Sequence, residues 1–102
     1  MEDFIILREN VIKNTWYGDQ MLKSVFLELL LLCNHEPVEF NGKKIAKGQI
    51  IIDIESMESL LNIPIGNIDI SLNQLAVLGE ITIEEGDEPI ITINNFNQYI
   101  YV

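Results

Sequence analysis

Four carboxylates fall within five positions of this chain, at Glu84, Glu85, Asp87 and Glu88, and no Lys or Arg follows residue 47. The six bases are Arg8, Lys13, Lys23, Lys43, Lys44 and Lys47, so residues 49–102 hold nine acids unopposed and net −9 of the total −10. Such a half-chain repels a phosphate backbone, whose attraction for Lys and Arg supplies nearly all non-specific DNA affinity. It suits a basic protein surface. The acid run also reads as a solvated turn that protects an edge hairpin from aggregation. It lacks the alternating ligands and closing Glu of a calcium loop. The single histidine, His35, has no second ligand at metal spacing, so a surface or capping role is expected and no metal. The single cysteine, Cys33, ends an apolar run and reads as a small buried hydrophobe in a reducing cytosol. With no second His, no Ser or Cys beside a base and no glycine-rich phosphate loop, neither catalysis nor a cofactor is expected.

The elements that must position these residues follow from periodicity. The chain is 48% hydrophobic over 102 residues, which suits one small domain spanning 1–102 with one core. FIIL at 4–7 begins the fold, and RENVIKNT at 8–15 predicts a short helix with Val11 and Ile12 inward. Trp16 and Tyr17 pack before Gly18-Asp19, a turn with an N-cap. A helix follows from about Gln20 to Asn34, with Gln20, Ser24 and Glu28 as its narrow polar stripe. Leu27 and Leu31 flank that stripe, as core or as a subunit contact. The run FLELLLLC is interrupted by Glu28 and is too short to span a bilayer, and the acidic start lacks the basic region of a signal peptide. Pro37 ends the helix, and Asn41-Gly42 between VEF and KKI is a hairpin signal.

GQIII then reads as a strand, with Asp53 as the N-cap of a helix whose inward face is Met57, Leu60 and Leu61. Asn62 ends that helix, Ile63 plugs a tight turn and Pro64 begins a second helix, with Ile68, Leu72, Leu75 and Leu78 toward the core and Gly79 at its C-terminus. Ile81, Ile83, Ile91 and Ile93 alternate on either side of the acidic turn, and the tail NNFNQYIYV is expected to run extended, anchored by Phe96, Tyr99 and Tyr101. Strand, helix, tight turn, helix and hairpin in that order predict an α+β fold: a winged helix-turn-helix with an N-terminal helical extension and a β-hairpin wing.

The order and spacing of several pieces resemble the N-terminal winged-helix domain of phage replisome organisers and DnaD-like replication initiation proteins. The pieces are Trp16 with Asp19, the run FLELLLLCN, then NGKKIAKGQIII, LNQLAVLGEITI and ITINNFNQY, together spanning roughly residues 4–99. The last of them, I-x-I-x-N-aromatic-x-x-Tyr, is the most specific. The resemblance implies a non-catalytic domain that self-associates and handles DNA at a replication origin. Longer members carry a further DNA- or helicase-interacting domain, and this sequence ends where the winged helix is expected to end.

The departures from that family bear on function. Its second motif helix usually carries several Arg or Lys. Here the outward positions are Asn67, Asp69, Ile70, Asn73 and Gln74, and the wing is acidic. Asn and Gln read adenine in a major groove, but without phosphate anchors nothing holds the helix there. Ile70 lies about 200° from Ile68 on a helical wheel, so the two cannot share a core face. Ile65, Ile70 and Val77 then read as a protein contact among polar neighbours, or as solvated surface. The expected partner-binding set is Asn67, Asp69, Ile70, Asn73, Gln74, Val77, Glu84, Glu85, Asp87 and Glu88. The leading expectation is a cytoplasmic module that binds a protein, either a second copy or a basic partner. Two alternatives stay open. One is a small acidic inhibitor occupying the nucleic-acid site of a host defence or replication protein. The other is an oligomeric DNA-binding protein using Lys43, Lys44 and Lys47, with Arg8, Lys13 and Lys23, on phosphates.

Overall fold

A computed structural model of the protein describes residues 6–100, apart from the side chain of Asn10. The chain forms an α+β fold with four α-helices and two small antiparallel sheets among these residues. Phe4 and Ile5 of the expected first segment, and Tyr101 of the tail, lie outside them.

Two 3-10 turns, Glu9–Lys13 and Thr15–Gly18, lead into helix α1, Gln20–Leu32. The first replaces the expected helix over 8–15 and points only Val11 inward; Ile12 is exposed. With three residues per turn, successive side chains diverge by about 120°, so Val11 and Ile12 cannot both face the core. Asp19 caps α1, accepting from the N–H groups of Met21 (3.0 Å) and Leu22 (3.1 Å). The helix ends two residues earlier than its apolar run suggested. Val25, Phe26, Leu29 and Leu30 are fully buried, Leu27 packs half-buried against the core, and Leu31 and Leu32 face water.

Strands β1, Val38–Phe40, and β2, Lys43–Ile45, form the hairpin signalled by Asn41-Gly42, both of which take positive φ. Strand β3, Gln49–Ile51, follows a turn at Gly48. Gly48 is left-handed (φ +82), which strains any other residue, and a Cβ there would sit 3.2 Å from Cβ of Phe96 and press that side chain aside.

Helix α2, Ile54–Leu61, is capped at both ends as expected: the Asp53 carboxylate accepts from Glu55 and Ser56, and Asn62 takes the left-handed conformation. Met57 is buried and Leu61 partly so, but Leu60 is exposed. In a two-turn helix the i, i+4 pair Met57–Leu61 defines the buried line, and Leu60 falls to its flank. Helix α3, Ile65–Val77, has no cap from its own Pro64; Glu58 on α2 reaches across the turn to accept from the Ile65 N–H at 3.3 Å. Ile68, Leu72 and Leu75 face the core. Leu78 does not: although its N–H still donates to the Gln74 carbonyl in helical geometry, it falls to the flank of the line made by Ile68, Leu72 and Leu75.

Strands β4, Ile81–Glu84, and β5, Ile90–Ile93, pair antiparallel and join β3 in the order β3-β5-β4. Ile81↔Ile93 and Ile83↔Ile91 share the face turned to the helices, while Thr82, Thr92 and Gln49 lie on the other. The expected extended tail instead makes one turn of helix, α4, Phe96–Tyr99. Phe96 and Tyr99 are both buried. A spacing of three puts them on one side of a helix but on opposite faces of a strand, so burying both selects the helix. Leu7 and Ile100 bridge the two ends, and the Arg8 N–H donates to the Tyr99 carbonyl at 2.7 Å.

The Asp53 cap makes acid stability testable. Its carboxyl is held below the ordinary aspartate range, first by the Ser56 hydroxyl (2.8 Å) and then by backbone N–H groups. A depressed folded value gives stability that is complete above the unfolded value near about 4 and lost as pH falls through the folded one. Asp53→Asn, which keeps a capping oxygen but cannot titrate, is expected to flatten that part of the acid limb in thermal melts between about pH 6 and about pH 2. An acid limb unchanged by the substitution would assign the loss to other carboxylates.

Candidate interaction surfaces

The outward face of α3 is the first surface, and helix periodicity builds it. Asn73 and Gln74 each lie three or four residues from Ile70 and from Val77, so the four form one stripe. That stripe meets Leu22 of α1 and the stranded Leu78 to line a shallow groove of about 510 Å³. Val77 is 87% exposed, Ile70 59% and Leu78 51%. Single exposed aliphatics are ordinary; here three of them border one groove. The groove carries two amides and no charge among its lining residues. Asn67 and Asp69 are exposed but do not line it; Asp69 keeps its carbonyl engaged by the Asn73 amide at 3.0 Å. Ile65, on the first turn, is also exposed and lies outside the lining.

The acidic turn between β4 and β5 does not join this groove. Asp87 and Glu88 instead line a second one, of about 470 Å³, together with Asp53 and apolar residues of β1, β2 and β3. Glu84 and Glu85 are exposed and line neither groove. Of the ten residues expected to act together, four line the first groove, two line the second, and Asn67, Asp69, Glu84 and Glu85 line neither. Leu22 and Leu78 of the first and Leu32, Val38 and Phe40 of the second carried no signal in the sequence beyond being apolar.

The lysines are also separated. Lys43 and Lys44 lie on β2, where Lys44 borders a cleft with Pro37 and Glu39. Lys47 sits in the turn before β3 with Nζ 5.9 Å from the centre of the Phe96 ring, and borders a different cleft with Asn94 to Gln98. Lys23 rests its Nζ 4.6 Å over the ring of Tyr17.

Beneath these surfaces the core holds one carboxylate. Glu80 is 8% exposed, and its oxygens accept from the Trp16 indole at 3.0 Å and the Tyr99 hydroxyl at 2.8 Å. A Schellman turn delivers it. Gly79 at φ +82 lets its own N–H donate to the Ala76 carbonyl and the Glu80 N–H to that of Leu75, which turns residue 80 back into the interior. Trp16, Phe26 and Tyr99 enclose the site, with ring centres 4.7 to 6.2 Å apart. Burial, then the hydrogen bond and charge of Glu80, hold the Tyr99 phenol well above its ordinary range. Sequence reasoning had no role for Glu80. The usable signal was an isolated acid between a helix-ending glycine and an apolar strand, with a Trp and a Tyr elsewhere needing acceptors.

Cys33 is buried as expected, with Sγ donating to the Leu30 carbonyl at 3.4 Å. Burial pushes its thiol up to about 12, so it stays protonated at neutral pH and is a poor nucleophile. His35 is half-buried rather than at the surface, its ring tilted against Phe96 with centres 5.4 Å apart. No helix among the described residues is long and apolar enough to cross a membrane. No protein-family model, curated protein or solved structure matches the chain.

Proposed function

We propose that the protein is a non-catalytic winged-helix module, similar to the N-terminal domain of phage replisome organisers, that works through protein contacts made by the α3 groove. Support for the winged-helix reading comes from the order β3, α2, α3, β4, β5, with β3 in one sheet with the β4–β5 hairpin. In this reading α2 and α3 are the helix-turn-helix and the acidic hairpin is the wing. The observation that carries the function is the chemistry of the outward α3 face. Where a DNA reader needs phosphate anchors, residues 49–102 supply no base, and the helix presents Ile70, Val77 and Leu78 to water instead. Phosphate contacts hold a recognition helix in register; exposed aliphatics beside amides fit the apolar centre and polar surround of a protein interface.

Two measurements on the same preparation test this. Fluorescence anisotropy with a labelled duplex at low salt is expected to show no saturable binding at micromolar protein. Sedimentation equilibrium is expected to show self-association that Val77→Asp weakens by roughly tenfold or more, the usual cost of burying a charge in an apolar contact. Tight duplex binding that falls steeply with salt overturns the reading, and so does sedimentation as a monomer that Val77→Asp leaves unchanged.

A further inference from the structure

The second groove is built differently, and it lies along an open sheet edge. In the β3–β5 ladder the Ile93 N–H donates to the Gly48 carbonyl at 2.8 Å and the Ile52 N–H to that of Pro89 at 3.1 Å. Residues 48, 50 and 52 therefore turn their backbone groups toward β5, and residues 49 and 51 turn theirs away. Asn34 closes position 49, since its backbone N–H (3.0 Å) and its side-chain amide (2.9 Å) both donate to the Gln49 carbonyl. Position 51 has no such cover. β3 is the end strand of its sheet among the described residues, and Ile51 lines the groove.

The facing wall is apolar. Val38 and Ile45 are partners across the β1–β2 hairpin, so they share a face with Phe40; the cross-strand partner of Phe40 on that face, Lys43, lies outside the groove lining. Ile45 is buried beneath that face, whereas Val38, Phe40 and Leu32 remain exposed. The rim is acidic, formed by Asp53, Asp87 and Glu88. An open strand edge, an apolar wall and a carboxylate rim are the three parts of a strand-addition site: backbone groups supply pairing, the wall takes an apolar side chain, and the rim selects charge.

We infer that this groove binds an extended, basic segment of another protein. One residue of that segment exchanges backbone hydrogen bonds with Ile51, an aliphatic side chain rests against Val38 and Phe40, and Lys or Arg on either side meet Asp53, Asp87 and Glu88. The carboxylates repel nucleic acid and acidic peptides. A second copy is a poor occupant. Strands β3, β4 and β5 carry no base, and the apolar residue of the basic strand β2, Ile45, is already buried. This surface is separate from the α3 groove, and either can fail its test without the other.

The test is an amide chemical-shift titration of the labelled protein with the synthetic peptide acetyl-RVKIR-amide, against its charge-inverted counterpart acetyl-EVEIE-amide. The basic peptide is expected to saturate, with shifts concentrated at Leu32, Phe40, Ile51 and Asp53, and the acidic peptide to bind at least roughly tenfold more weakly. Asp87→Lys with Glu88→Lys is expected to weaken the basic peptide by a similar factor, its fold read from the same spectra. Should that variant unfold, the peptide pair on the wild-type protein still decides the matter. Methylating the central peptide nitrogen is expected to weaken binding further through the lost edge hydrogen bond. Equal binding of the two peptides, no saturation, or shifts at Ile70 and Val77 in place of Ile51 would each overturn the assignment.

Discussion

Replacing Glu80 with alanine is expected to cost about 2–4 kcal/mol of folding stability, because it strips the buried Trp16 indole of its acceptor and leaves the Tyr99 hydroxyl only its longer bond to Asn14 Oδ1 (3.3 Å). The Trp16 indole N–H and the Tyr99 hydroxyl both end on this carboxylate. An orphaned donor costs about 1–3 kcal/mol in a dry site, and the deleted side chain leaves a void beside Trp16 and Tyr99. A domain of this size has about 5–15 kcal/mol in total, so the loss decides whether it is folded at body temperature. Glu80→Gln keeps an acceptor oxygen and is expected to lose about half as much. Tyr99→Phe removes a donor together with its need and should likewise fall short of the alanine variant. Urea unfolding followed by far-UV circular dichroism and by the fluorescence of Trp16, the one tryptophan, gives all three values. A Glu80→Ala loss no larger than that of a surface substitution would show that the network is not holding the two ends of the chain. The alkaline limb checks the same contact. Because the Tyr99 phenol is raised on folding, its contribution is complete below the unfolded value near about 10 and is lost as pH rises through the folded one. Glu80→Gln removes the charge that helps raise it and should bring that loss to lower pH.

The second large effect separates two leucines three residues apart. Leu75→Ala is expected to cost about 2–5 kcal/mol, since Leu75 is fully buried between α3 and the core and its removal leaves a cavity. Leu78→Ala is expected to change stability by no more than about 0.5 kcal/mol, as for other exposed positions. Periodicity alone gives both the same inward role. Denaturant midpoints of the two variants, measured side by side, check the contrast. At concentrations where the chain is monomeric, comparable losses would overturn the contrast, whereas a Leu78→Ala loss that grows with protein concentration is the one expected from self-association through the α3 groove.

The local chemistry of most elements was legible without coordinates. Asp19 and Asp53 cap helices because a carboxylate ahead of an apolar periodic run has free N–H groups to accept from. Asn62 and Gly79 end helices because they tolerate positive φ, and Asn41-Gly42 makes a hairpin for the same reason. Such signals depend on a few neighbouring residues, so they survive whatever the rest of the chain does. The four residues of the first groove, Ile70, Asn73, Gln74 and Val77, were legible for a related reason: one helix carries them, and helical spacing fixes which face they share.

What the tertiary structure alone decided depends on residues far apart in the chain. Leu60, Leu78 and Ile12 fit an inward pattern and lie outward, because Leu60 and Leu78 fall to the flank of their helix's buried line and the turn holding Ile12 winds at three residues rather than 3.6. Phe96 and Tyr99 form a helical turn because the core needs both on one side. Glu80 joins Trp16, 64 positions away, and Asp87 and Glu88 meet Val38 and Phe40 rather than Ile70 and Val77. The sequence by itself determined the sign of the charge, its concentration in residues 49–102 and the kind of element at each step from Gln20 to Ile93. Only the packed chain decided which exposed aliphatics share a groove with which carboxylates, because that follows from how helices and sheet are set against one another, and no local pattern encodes it.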